Sequence, residues 1–244
     1  MEFRPRKVPV SHAWAWPREA LELIARRPLE PAVLAILIGI STLLDIGSIG
    51  TAVALVLLAA TPAFVGIVCV LAYRADTSRL EPMTVEQWSW LALLGVTLIM
   101  ATVLMTFAID AFSPTATSSS STTRAFSQSW QVSPVAAVLG GLSIAAVFWP
   151  WPFTVALVAR DDLGLPAAFG QTIDAMLLNV WSTFFVYAAF VAAFLLTMLS
   201  WPPLAGALFV FMAFTSYAAY RDIWHRRPRN KPVGAISMTH PSSA

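Results

Sequence analysis

The chain has 244 residues, of which 58% are hydrophobic and only 11% charged, and its mean hydropathy is +0.71. Soluble globular domains carry about 25% charged residues, so a soluble enzyme domain is excluded, and several long apolar runs in a chain this short indicate a polytopic membrane protein. The net charge of +2 does not point to nucleic acid, because the 15 basic residues lie mostly beside apolar segments, where positive charge orients helices.

Residues 1–10 are basic and proline-rich, and no apolar stretch with a small-residue cleavage site follows them, so no removable signal peptide is expected. Over residues 14–27, Pro17 suits a first helical turn. Arg18, Glu19, Glu22 and Arg26 share one face, and Trp16, Ala20, Leu23 and Ile24 face the other way. This pattern predicts a helix lying flat on the membrane with its apolar stripe in lipid.

The first long apolar run covers residues 29–44, and the turn residues of Asp45-Ile46-Gly47-Ser48-Ile49-Gly50 separate it from a second run over 51–73. Thr84-Val85-Glu86-Gln87 reads as a capping box opening a short helix into Trp88 and Trp90. A third run over 90–109 ends at Asp110, and residues 113–133, dense in Ser and Thr, predict a solvated loop.

The fourth run, 134–159, contains Trp149-Pro150-Trp151-Pro152, which predicts a bend. Pro166 opens a further short helix with Phe169, Ile173, Met176, Leu177 and Val180 on one stripe, and runs over 181–199 and 204–220 are joined by the turn Ser200-Trp201-Pro202-Pro203.

The predicted fold is therefore an all-α integral membrane protein with six transmembrane helices, at about 29–46, 51–73, 89–111, 134–159, 181–199 and 203–220. They form three hairpins, each preceded by a short cytoplasmic interfacial helix. Of the 15 Lys and Arg residues, 14 flank one side and Arg124 alone falls on the other. The positive-inside rule then places both termini in the cytoplasm. Residues 1–28 form a basic cytoplasmic N-terminus with an amphipathic helix, 29–220 the membrane domain and 221–244 a basic cytoplasmic tail.

The even-numbered spans finish alike: Leu71-Ala72-Tyr73-Arg74-Ala75-Asp76, Leu157-Val158-Ala159-Arg160-Asp161-Asp162 and Tyr217-Ala218-Ala219-Tyr220-Arg221-Asp222. Interfacial helix, hairpin and Arg/Asp exit recur three times, an internal repeat in which Ala159 departs from Tyr73 and Tyr220. The last exit, continuing into Ile223-Trp224, resembles a family of uncharacterised proteobacterial inner-membrane proteins whose final span runs into Tyr-Arg-Asp-Ile-Phe. Residues 14–28, ending in Arg-Arg-Pro, and 165–181, from Leu-Pro-Ala-Ala-Phe to Leu-Asn-Val-Trp, fit the same pattern, and the likeness covers roughly residues 8–228. The resemblance implies topology and an inner-membrane location, with no reaction, substrate or cofactor.

Chemistry is sparse. His12, His225 and His240 match no zinc or haem spacing and read as solvated tail residues, and the single Cys69 reads as a buried hydrophobe. Asp45 and Asp110 sit near outer helix ends, where solvation is the plainer reading and a cation site the sharper one. Hydroxyls within the spans, Thr154, Ser182, Thr183 and Thr215 among them, read mostly as packing groups. No ionisable side chain falls at mid-span, against a proton-driven transporter, and no nucleophile, metal set or carboxylate pair occurs at a catalytic spacing, against a membrane enzyme.

Two places carry sharper readings. Trp149 and Trp151 would line a cavity at the expected kink, and Tyr220, Arg221 and Asp222 would form a structural clamp or lipid contact, with Asp76, Asp161, Asp162, Asp174 or a lipid phosphate as partner for Arg221. The expectation is a non-enzymatic inner-membrane protein without cofactor or metal. Its partners would be membrane lipids, a second copy or another membrane protein, and not nucleic acid. The alternative is a transporter or channel for a small apolar or zwitterionic compound.

Overall fold

In the computed structural model of the chain, residues 4–44, 50–111, 151–200 and 204–225 are described, and they are helical with short connections. Helix α1 spans Val10–Ala13, α2 Ala15–Arg26, α3 Leu29–Leu44, α4 Gly50–Thr77 and α5 Val85–Ala111. Then come α6 Trp151–Asp161, α7 Leu165–Leu178, α8 Val180–Ser200 and α9 Leu204–Tyr220, which runs into a π-helical turn, Arg221–His225.

Two stretches, Ala59–Thr77 and Leu204–His225, are long and apolar enough to cross a bilayer. A third results if Leu165–Leu178 and Val180–Phe190, which meet at 100°, count as one. The described residues thus hold two or three such segments, not clearly six. Most of the expected fourth span, with the bend at Pro150, lies outside the described residues, as do the Ser/Thr-rich loop and Asp45.

Helix α9 is the centre of the molecule. It packs against α2, α3, α4, α6 and α8, and its residues 213–220 are all buried. Such density needs small residues where backbones meet. A Cβ at Gly206 would overlap the Ala35 carbonyl oxygen and the backbone of Gly39 on α3, and one at Gly95 on α5 would overlap the Ala59 carbonyl of α4. Helices in a membrane have no hydrophobic drive toward one another, so close backbone approach at small residues supplies much of their association.

Two expected elements differ. The capping box forms, with the Thr84 N–H donating to Gln87 Oε1 at 2.8 Å and the Gln87 N–H to Thr84 Oγ1 at 3.2 Å. It opens the long helix α5 itself, so there is no separate interfacial helix before that segment; nothing after Trp90 breaks the helix until its polar end. On α2 the apolar face also has a different neighbour. Trp16, Ala20 and Leu23 are buried in the protein core, and α2 packs on α9, so the expected contact of that stripe with lipid is replaced by protein.

Candidate functional site: a circuit of helix exits

The ends of α4, α6 and α9 carry the three repeated exits, and they meet. The guanidinium carbon of Arg160, at the second exit, lies 3.5 Å from the ring centroid of Tyr73, at the first, a cation–π contact. The Tyr220 hydroxyl of the third exit donates to Asp161 Oδ2 of the second at 2.8 Å. Arg221 Nη1 of the third donates to Asp76 Oδ1 of the first at 2.6 Å. Each exit holds the next, and the circuit closes.

The three links are not copies of one another. Ala159 has no hydroxyl to offer, so the second exit reaches the third through Asp161 and the first through Arg160. The first two exits end on residues with positive φ, Ser78 at 61° and Asp162 at 55°, the αL conformation that closes many helices. The third continues into the π turn, in which Asp222 and Ile223 are buried.

Each exit arginine also takes an acid from another segment of the chain. Arg74 reaches Glu30 of α3 at 2.7 Å, Arg160 reaches Glu81 ahead of α5 at 2.7 Å, and Arg221 reaches Glu19 of α2 at 2.6 Å. Arg27 and Arg26 extend the network to Glu30 and Asp76 at 3.5 and 3.8 Å. The hydrogen bond from the Arg160 guanidinium holds the Glu81 carboxyl below its usual range.

The second part of the site is a strap formed by the N-terminal segment. The Asp222 carboxylate, 1% exposed, is held by Arg6 Nη2 at Oδ1 and by Trp16 Nε1 at Oδ2, 3.0 Å, with His12 Nδ1 3.4 Å from Oδ2. Arg6 Nε donates to the Asp222 carbonyl, and the Arg6 N–H to the Ile223 carbonyl at 3.0 Å. Farther along, the Val8 N–H donates to Asn179 Oδ1 at 2.6 Å, Asn179 Nδ2 donates to the Arg6 carbonyl at 3.0 Å, and Ser182 Oγ donates to the Val8 carbonyl at 3.2 Å. The strap thus ties the last turn to the bend between α7 and α8. A buried carboxylate is stable only when paired and hydrogen-bonded, and here the partner charge comes from Arg6.

Tyr220, Arg221 and Asp222 therefore stand together, with Asp76 the one partner of Arg221 among those expected from sequence. Tyr220 and Asp222, 4% and 1% exposed, make contacts with protein groups. Trp151 is buried, and Trp149 lies outside the described residues. His12 is exposed beside Asp222, His225 is not free in a solvated tail, because its Nε2 lies 2.7 Å from the Tyr220 hydroxyl and 3.2 Å from Asp161 Oδ1, and His240 lies outside the described residues. Cys69 is fully buried, and no group of three or more potential metal ligands occurs among the described residues.

Sequence reasoning missed Arg6, Trp16, Glu19 and Asn179 as members of the site. Their partners lie 171 to 216 residues away for the strap and 202 for Glu19, beyond any local pattern. The repeat of Arg and Asp at the exits was the available signal, and it marks three of the converging segments. No protein-family model, curated protein or solved structure matches the chain.

Proposed function

We propose that the chain is a six-span inner-membrane protein of the family it resembles, with both termini in the cytoplasm. It works as a non-enzymatic membrane component through contacts with lipids and with protein partners. The observation that carries this reading is the closed circuit of the three exits. Its arginines are drawn together at one end of the helices and divided among acids of the same chain, while the described helices expose large apolar side chains. Exposed Val33, Ile36, Leu37 and Ile40 on α3, and Leu93, Val96, Met100 and Leu104 on α5, suit acyl chains.

The basic asymmetry supports a cytoplasmic circuit, because 14 of 15 cations flank that side of the proposed spans. Reporter fusions test the reading. A fusion after Ala244 is expected to show cytoplasmic activity and one within residues 113–133 periplasmic activity. Periplasmic activity after Ala244 would overturn the six-span arrangement.

A further inference from the structure

Helix α7 inverts the ordinary rule of helix amphipathicity. Its residues facing the protein are small, Ala168, Thr172 and Ala175, at most 1% exposed, while bulky Phe169, Ile173 and Leu177 project outward at 42%, 38% and 71%. At about 100° per residue the small face, the bulky ridge and a third face bearing exposed Asp174 are spaced roughly a third of a turn apart, and Gln171, nearer the small face, accepts from Trp224 Nε1 at 3.5 Å. One face is thus fitted to protein, one to hydrocarbon and one to water.

A helix that crossed the bilayer would have no use for the third face, and a helix standing in water would not expose the second. Both are satisfied where hydrocarbon, headgroups and water meet. The 100° turn into α8 sets the same geometry, since a helix perpendicular to a span lies in the membrane plane. The bend is pinned, with Asn179 hydrogen-bonded to the strap and to the Ala175 carbonyl, and Thr154 of α6 donating to Thr172 at 3.1 Å. Beyond the bend, exposed Trp181, Phe184 and Phe185 of α8 stack on one another, so both helices present apolar side chains outward.

We propose that α7 is an in-plane wedge in one leaflet of the bilayer, on the side of the exit circuit, with its Phe169–Ile173–Leu177 ridge seated among phospholipid acyl chains just below the headgroups. This rests on the membrane reading above. The occupant is lipid and not a second copy, because exposed Asp174 borders the ridge next to Ile173, where a protein partner would have to bury its carboxylate.

The test places single cysteines carrying an environment-sensitive fluorophore at Ile173→Cys, Asp174→Cys and Ala189→Cys in a Cys69→Ala background. The full chain is reconstituted in phosphatidylethanolamine and phosphatidylglycerol vesicles with quenchers placed near the headgroup or near the chain end. The Ile173 label is expected to be quenched about twofold or more better by the shallow quencher than by the deep one, the Asp174 label by aqueous iodide, and the Ala189 label best by the deep quencher. Deep quenching at Ile173 would make α7 half of a bent span and overturn the wedge. Loss of lipid quenching at Ile173 with quenching retained at Ala189 would overturn it while leaving the membrane reading standing. Loss at both positions would overturn the membrane reading and the wedge together.

Discussion

Arg221 divides one guanidinium between Asp76 and Glu19, at 2.6 Å each, and that geometry requires a planar fork. An ammonium is a point charge and cannot serve both acids in the same directions. Arg221→Lys is therefore expected to lower stability in detergent by about 1–2 kcal/mol, the scale of a charge-assisted hydrogen bond at a half-buried site. Arg18→Lys, at an arginine whose side chain is 84% exposed, is expected to leave the melting curve unchanged. Arg6→Gln removes the charge partner of buried Asp222 and should cost about 2–3 kcal/mol; a wild-type melting curve would show that the strap does not hold the last turn. Glu81 gives a pH signature. Its folded pKa is depressed by Arg160, so the stability it contributes is present above the usual carboxylate value of about 4.3 and is lost as pH falls through the lower folded value. The stability deficit of Glu81→Gln relative to wild type should accordingly shrink between about pH 6 and about pH 3, and a pH-independent deficit would remove the ion pair as its cause.

Among the elements, glycine substitutions separate close packing from open space. At Gly206 an added methyl meets the backbone of α3, so Gly206→Ala is expected to cost about 1–3 kcal/mol. At Gly170 on α7 nothing lies within 4 Å, and Gly170→Ala should stabilise by about 0.5–1 kcal/mol through helix propensity. Melting temperatures moving in the same direction for both would contradict the α3–α9 contact. For α2, Leu23→Asp places a carboxylate in the core and is expected to abolish folding, whereas Glu22→Ala, at a side chain 59% exposed, is not. Composition and periodicity made the helical class, the face division of α2 and the Thr84–Gln87 capping box legible. They could not show what each apolar face meets, because lipid and protein interior select the same residues. The stripe of α2 is turned to protein for that reason, while the stripe of α7 is exposed.

Across the described residues the arrangement is a central helix, α9, which with the π turn that ends it reaches back to four other segments: α2 through Glu19, α4 through Asp76, α6 through Asp161 and the N-terminal strap through Asp222. The repeated exits were readable because they are written locally in sequence. That they meet was not, because each link spans tens to hundreds of residues and uses different atoms. The circuit predicts that its members lose stability as a unit and not as separate surface pairs. A double-mutant cycle on Asp76 and Arg221, followed by thermal unfolding of the full chain in detergent, measures this most directly. With Asp76→Asn and Arg221→Gln, the double variant is expected to be scarcely less stable than either single variant, giving a coupling energy of about 1–2 kcal/mol. Strictly additive losses would contradict the circuit.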